Sequence, residues 1–573
     1  MSFFLKKKKI IIGAVLAALS FSIFFSTLSD YGINWDESIH YIRGQAYLRF
    51  FLTGKDNYNG LLRLEISYAR VFGRTLPSGI TFGNEKSHER SIYQYDSVPN
   101  HLTYRWFLKN DSGHPPLNGI LASLSNYIFY QKLGWLGDIQ AYHLFIITVT
   151  SLAVFAVFLF TSSSYGIFAG LVASLSIFLY PLLFSESHFN IKDPVEMSFY
   201  TFSIIFFYFG ITRKSWKWLI LTGIVSGFAL GTKLNIIFVI FTVIPWLVIY
   251  KWKDLSRFKW PFSKKITISM LSVPIIAFAI LFGTWPFLWI DPLNHFLSFI
   301  SYYKFIGTTS YQFGSHVILF GINTYAVQWI FYITPLIILF LSLFGIAYAL
   351  KKGFKEKEKA SLLIFLWFLV PILRVTMPNA GIYGGVRQIM EYIPAMAILS
   401  GIGAYYIVKL LKIKPLLLLQ IIIILSFIPI ALKIISIHPN ENVYFNPLIG
   451  GLKGASERNF PDWGTTLGSA YKGGIDWINQ HVEKNGRVAL VSGLISNVPR
   501  ISIRRDIYFG ESHYSGEKKS GEYLMEVTGY KWDQNIPLEK KKYIERLVPV
   551  YEEKVDGVAI LKIWKNDIAH TRN

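Results

Sequence analysis

The chain has 573 residues, 52% of them hydrophobic, and a formal net charge of +22. That balance, with several charge-free runs near the length of a bilayer crossing, describes an integral membrane protein and excludes a small soluble enzyme. Cysteine is absent, which excludes disulfides, cysteine-based zinc sites and thiol nucleophiles. In a soluble protein the charge would point to nucleic acid. Here much of the excess sits in short loops between apolar runs, where it sets topology or holds anionic head groups and lipid phosphates.

In chain order, Lys6 to Lys9 form a basic cluster, and Ile10 to Leu28 follow without a charge. The start resembles a signal peptide, but no small-x-small cleavage site precedes Asp36, so the run reads as a retained span. Basic clusters stay in the cytoplasm, so Asn34-Trp35-Asp36-Glu37 emerges on the far side of the membrane. About eleven spans are predicted: 10–29, 138–160, 165–184, 195–212, 217–232, 235–250, 266–287, 326–350, 360–376, 388–408 and 415–436. Arg213-Lys214 with Lys217, the run from Lys251 to Lys265, Lys351 to Lys359, and Lys409 to Lys414 then all fall on the N-terminal side. An odd count puts the tail from about His438 outside.

Two apolar stretches are too short to cross and read as interfacial helices, Ser38–Leu52 and Pro116–Tyr130. The outer face then carries a long polar loop, Asp30–Gly137, and a short one, Ser185-Glu186-Ser187-His188-Phe189-Asn190-Ile191-Lys192-Asp193-Pro194. It also carries a piece from about Leu288 to Tyr325 and the tail, 437–573. Alternating segments such as Arg487-Val488-Ala489-Leu490-Val491 mark the tail as a small α/β module. No internal repeat or low-complexity linker is evident.

Four groups of residues have the chemistry of a site. Asp36 and Glu37 sit where a carboxylate can take a proton from an acceptor at the membrane surface; equally, Asp36 suits the N-cap of the following helix. Lys192-Asp193-Pro194 repeats the pattern, with Pro194 in a first helical turn, Asp193 as a cap, and Lys192 free to pair with Glu186 in a solvated loop. Two acidic sites entering one face from consecutive loops suit one carboxylate deprotonating an acceptor while the other orients it. The third group is cationic and lies against the positive-inside trend: Lys233 in Gly231-Thr232-Lys233-Leu234-Asn235, and Arg374 and Arg387 flanking Val375–Val386. Each needs either a salt bridge, to Glu391 or another loop, or a phosphate. The fourth is His114-Pro115-Pro116-Leu117, whose histidine is structural or acceptor-facing. There is no HExxH, P-loop, Rossmann glycine pattern or GxSxG elbow. Lys518-Lys519 and Lys540 to Lys542 read as solvated charge.

Taken in order, the Asp-Glu pair, His-Pro-Pro-Leu, Lys-Asp-Pro and Gly-Thr-Lys form a pattern, extended by Trp285-Pro286, Asp291-Pro292-Leu293 and Gly385-Val386-Arg387-Gln388. It resembles the dolichyl-phosphate-mannose–protein mannosyltransferase family in its wider prokaryotic form, which includes the lipid A aminoarabinose transferases. The likeness covers about residues 1–436. Glu441-Asn442-Val443-Tyr444-Phe445-Asn446-Pro447, Gly450-Gly451-Leu452-Lys453-Gly454-Ala455 and Asp462-Trp463-Gly464 look like the extension carried by some prokaryotic members. No eukaryotic MIR-type insertion is visible, which counts against protein O-mannosylation itself.

The resemblance implies a polytopic α-helical membrane protein of GT-C type. Residues 1–436 would be its transmembrane catalytic domain, with 30–137 as the first outer loop and its juxtamembrane helices. Residues 437–573 would be a small extracytoplasmic α/β domain. It implies an inverting glycosyltransferase that takes sugar from a polyprenyl-phosphate donor and delivers it to a hydroxyl of a protein, lipid or glycan. Asp36 would be the general base, assisted by Glu37. Asp193, Glu186 and His114 would line the acceptor side, and Lys233, Arg387, Lys192 and Arg374 would bind the donor phosphate. No cofactor is expected, and a divalent metal is left open. The compartment would be a prokaryotic plasma membrane, with the N-terminus cytoplasmic. Two other readings are a flippase or transporter of a lipid-linked sugar, which would keep its charges near the bilayer midplane, and a membrane-anchored assembly protein acting through its tail.

Overall fold

The computed structural model describes residues 2–34, 36–57, 103–313, 317–355, 358–377, 380–411, 415–465, 469–491, 498, 502–504, 506–509, 521–529 and 538–567. Trp35, much of the first outer loop, and Lys518-Lys519 lie outside the described residues. Eight described helices are long and apolar enough to cross a bilayer: Lys7–Ser26, Asp138–Tyr165, Asp193–Thr212, Lys264–Thr284, Leu336–Phe354, Lys359–Thr376, Tyr392–Leu411 and Leu416–Ile437. A ninth crossing exists if Ile167–Phe178 and Pro181–Phe189, bent by 59°, count as one broken span. At the fifth and sixth expected positions lie shorter apolar helices, Trp216–Leu230 and Leu234–Tyr250. The second opens with a 3-10 turn, Leu234–Val239. Length and composition alone thus give eight or nine crossings, and the two shorter helices on either side of the turn at Gly231-Thr232-Lys233 occupy the remaining two of the eleven expected positions.

The expected solvated loop Ser185–Pro194 does not exist. Pro181–Phe189 is helical, and Ser185, Glu186, Ser187, His188, Asn190, Lys192 and Asp193 are all buried. Buried polar side chains need partners within the protein, and most of these have them, Ser185 Oγ and one Glu186 oxygen being the exceptions. Ser187 donates to the Leu183 carbonyl at 2.6 Å, His188 bonds the Phe184 carbonyl at 2.8 Å, and Asn190 donates to Glu186 at 2.6 Å.

Small residues set the closest helix crossings. A Cβ on Gly345 would stand 1.9 Å from the Leu399 carbonyl oxygen, and one on Gly403 would stand 1.8 Å from that of Leu341. Helices 336–349 and 392–411 therefore touch backbone to backbone, as small-residue interfaces in membranes allow. The same device joins the two short helices expected at the interface, found as Glu37–Thr53 and Leu117–Asn126. There a Cβ on Gly44 would meet the Gly119 carbonyl oxygen at 2.2 Å.

The tail carries a five-stranded mixed sheet in the spatial order Tyr508–Phe509, Arg487–Leu490, Tyr523–Val527, Val558–Lys565, Pro549–Val555. Arg487–Leu490 pairs in parallel with both neighbours, and the remaining pairings are antiparallel. The amphipathic helix Ser469–His481 buries Ile475 and Ile478 against it. The tail is keyed to the helical body by side chains of the motifs noted above. Asn446 donates to the Phe331 and Thr334 carbonyls at 2.7 and 2.9 Å. Tyr31, just beyond the first span, donates to Glu441 at 2.8 Å.

Candidate active site

Local backbone chemistry places the first carboxylate. Asp36 occupies the N-cap position of helix 37–53, yet its side chain makes no capping bond. Its carboxylate instead accepts from the Lys192 ammonium at 2.7 Å. Glu37 points elsewhere, since neighbouring helical residues diverge by about 100°. It is fully buried, accepts the Asn34 N–H at 3.0 Å and lies 3.2 Å from His143 Nε2. Glu37 therefore secures the chain leading into Asp36 and does not line the cavity.

The Lys-Asp-Pro segment differs from its expected local form. Helix 193–212 starts at Asp193 itself, with Lys192 at the N-cap. Asn190 does the capping work, its side-chain oxygen accepting the N–H groups of Lys192 and Asp193 at 3.0 Å each. The Asp193 carboxylate is thereby free for tertiary partners. Lys233 donates to one oxygen at 2.7 Å and Arg387 to the other at 3.0 Å. Lys192 thus pairs with Asp36 and not with Glu186, and Lys233 pairs with Asp193 and not with Glu391. Glu391 instead faces Arg374 at 3.5 Å and accepts from Asn235 at 2.7 Å. Glu186, one helical turn before Asn190, is buried behind this layer and does not reach the cavity.

These groups meet in a cavity of about 710 Å³. Its wall includes Asp36, Lys192, Asp193, Lys233, Arg374 and Arg387. Asp36 is 32% exposed and Asp193 1%, so only the former offers its carboxylate to an incoming molecule. Burial pushes the Asp36 carboxyl up, but the charges of Lys192, Arg387 and His40 outweigh it and hold the group well below the usual carboxylate range. Among the described residues no three His, Asp or Glu side chains gather as a metal-sized group.

The His-Pro-Pro-Leu segment forms a second wall. Arg43 donates to the His114 and Pro115 carbonyls at 2.6 and 3.3 Å. Asp111 anchors the same corner, accepting from Arg43 at 2.8 Å, Tyr47 at 2.7 Å and the Trp285 indole at 2.8 Å. The Leu117 N–H donates to the Gly231 carbonyl at 2.9 Å, which ties this segment to the Gly-Thr-Lys turn. His114 Nε2 lies 3.3 Å from Lys192 Nζ and its Nδ1 lies 2.7 Å from the Tyr303 hydroxyl. Burial, Lys192 and His40 hold the His114 imidazole well below its ordinary pKa.

Arg387 is placed from further away. Gly384 and Gly385 both have positive φ, at 63° and 75°, a conformation glycine adopts without strain. Asp462 of the tail accepts the Gly384 N–H at 3.1 Å and the Tyr325 hydroxyl at 2.8 Å, while the Tyr325 oxygen accepts the Gly385 N–H at 2.9 Å. Asn190, Arg43, Asp111 and Tyr303 were not singled out as site residues in the sequence. Arg43 is a charge inside the apolar-rich stretch 38–52, which is a sequence signal; Asp111, in the polar run Lys109–His114, Tyr303 and Asn190 carry none.

Residues 113–278 match the family model described as dolichyl-phosphate-mannose-protein mannosyltransferase. No curated protein matches the chain. Among solved structures the chain is similar to ArnT from Cupriavidus metallidurans bound to undecaprenyl phosphate, at 12% identity and a TM-score of 0.47, over 98% of this chain and 99% of that one. It is also similar to an apo oligosaccharyltransferase from Archaeoglobus fulgidus, at 11% identity and a TM-score of 0.44, over 91% and 70%. A third similarity is to the S. cerevisiae protein O-mannosyltransferase Pmt1-Pmt2 complex bound to the sugar donor, at 16% identity and a TM-score of 0.31, over 51% and 34%.

Proposed function

We propose that the protein transfers a sugar from a polyprenyl-phosphate donor to an acceptor hydroxyl at the outer membrane face, inverting the anomeric centre. The observation that carries this reading is one cavity lined by an accessible carboxylate, Asp36, and by the cations Lys192, Lys233, Arg374 and Arg387 among others. The match of residues 113–278 to a family named for a lipid-phosphate sugar donor supports it. The charge bias of the loops supports a cytoplasmic N-terminus and an outer C-terminal module in a prokaryotic plasma membrane.

In this reading the acceptor oxygen attacks the anomeric carbon from the face opposite the phosphate. The bond from that carbon to the phosphate oxygen breaks, and its electron pair leaves on the lipid phosphate. The acceptor proton passes to Asp36. Cations placed where charge develops on the leaving group stabilise it strongly in a site sheltered from water. Lys192 couples the two ends of the reaction. An arriving phosphate competes with Asp36 for the ammonium, which raises the basicity of Asp36 as the donor binds. Asp193 holds Lys233 and Arg387 in position as their shared counter-ion. Glu37 and Glu186 act behind the site.

The test is turnover of a panel of radiolabelled polyprenyl-phosphate sugars by the purified full chain in lipid, native against Asp36→Asn. The expected result is transfer or release by the native chain and a loss of about a hundredfold to ten-thousandfold in the variant, with donor binding kept. Retained activity in Asp36→Asn would remove the base assignment. A native chain that moves such lipids between leaflets without cleaving them would replace the transferase reading with the flippase one.

A further inference from the structure

Deepening the donor-phosphate reading, on which it rests, we infer that Tyr303 is a catalytic hydroxyl: its O–H donates to the donor phosphate, in a direction fixed by His114. Hydrogen-bond logic carries the inference. The Lys192 ammonium has only donors to offer. At 3.3 Å from His114 Nε2 it requires that nitrogen to be the acceptor. A neutral imidazole has one N–H, so the proton of His114 sits on Nδ1. At 2.7 Å from the Tyr303 hydroxyl, Nδ1–H is the donor and the phenol oxygen the acceptor. The reverse tautomer would aim Nε2–H at an ammonium.

The phenol oxygen accepts a second bond, from the Leu234 N–H at 3.3 Å. With its acceptor capacity filled, the hydroxyl proton must point away from both donors. Tyr303 lines the same cavity as Asp36, Lys192 and Lys233. Its backbone partner is the residue after Lys233, and its histidine partner touches Lys192. The hydroxyl is therefore linked to Lys192 through His114 and bonded to the backbone of the residue that follows Lys233, two of the cations assigned to the phosphate. Burial raises the Tyr303 phenol above its ordinary value, which keeps it a donor at any working pH. His114 acts through the phenol as a positioning residue.

The ligand chemistry is a phosphate monoester dianion or a phosphodiester, and the cavity's apolar lining of Ile237, Phe238 and Ile300 favours a prenyl phosphate over a free phosphate. The probe is undecaprenyl phosphate, bound to the full chain in lipid nanodiscs and followed by titration and by the phosphorus NMR shift, with inorganic phosphate as a separate ligand. Native protein should bind the lipid far more tightly than inorganic phosphate. Tyr303→Phe, which keeps the ring, should weaken lipid binding roughly tenfold to a hundredfold, the range for a hydrogen bond to a charged group, and move the phosphorus shift. His114→Asn, whose amide can still donate toward the phenol, should retain most of the affinity that His114→Ala loses. Equal binding by native and Tyr303→Phe, with the phosphorus shift unchanged, overturns the inference. Loss of binding to the same extent in His114→Asn and His114→Ala overturns the positioning role. A native chain that binds no undecaprenyl phosphate overturns the donor reading itself, whatever the Tyr303 variant does. Should Tyr303→Phe misfold, the histidine pair decides alone.

Discussion

Asp36 and Lys192 are 156 positions apart in the chain and meet at 2.7 Å. The carboxylate that sequence logic would assign to a helix cap is turned instead toward the cation of the next acidic segment. This contact shapes the electrostatics of the cavity, since it holds the accessible carboxylate of Asp36 ionised while keeping an ammonium beside it.

A pH profile checks that pairing. The Asp36 carboxyl lies below its ordinary value of about 3.9, because the cations outweigh its burial. The stability its ion pairs provide is present above that ordinary value and is lost as pH falls through the depressed one. Activity should therefore show no acid limb from Asp36 between neutrality and about pH 4. Lys192→Met removes the largest lowering charge and should move that limb upward, read as kcat/KM against pH. An unmoved limb would mean that another group controls it.

Asp193 holds Lys233 and Arg387 at once and is 1% exposed. Asp193→Asn leaves two buried cations without their counter-charge. Removing one partner of a buried ion pair costs about 3–5 kcal/mol. Thermal unfolding in lipid should show a large drop in Tm, with a fall in affinity for undecaprenyl phosphate. A variant as stable as the native chain would show that the cations find another partner.

Gly44→Ala tests the crossing that carries the site. A Cβ there would stand 2.2 Å from a backbone oxygen of Gly119, and neither partner is a flexible side-chain end. Overpacking of this kind costs about 1–3 kcal/mol. Asp36 precedes one helix and His114 the other, so separating them should widen the cavity. We expect normal membrane insertion and a loss of turnover of tenfold or more, about 1.4 kcal/mol in the barrier.

Asp462→Ala probes the reach of the tail into the site. Asp462 holds Gly384 and Tyr325, and Tyr325 holds Gly385, two residues before Arg387. Loosening that turn should raise KM for the donor about tenfold with little change in kcat, because it displaces a binding cation and leaves Asp36 in place. An unchanged KM would confine the tail's motif to folding.

The sequence by itself determined the membrane character and the order of the helices, and it drew attention to some of the charged residues that line the cavity, though not to Arg43 or Asp111. Hydropathy acts over one segment at a time, and the cost of an unpaired charge near lipid makes residues such as Lys233 and Arg387 conspicuous wherever they stand. It also placed two short helices between the first and second spans, since their apolar runs are too short to cross. Tertiary structure alone decided the pairings. Nothing in Ser185–Pro194 shows that it is buried, because the partners that let it be so are met only in the fold: Asn190 bonds Glu186 and Asp193, Lys192 bonds Asp36, and Asp193 bonds Lys233 and Arg387. Nothing local distinguishes Asp36, which faces the cavity, from Glu37, which turns to His143. Tyr303 was invisible for the same reason: a tyrosine becomes a directed donor only when its neighbours in space fill its acceptor positions.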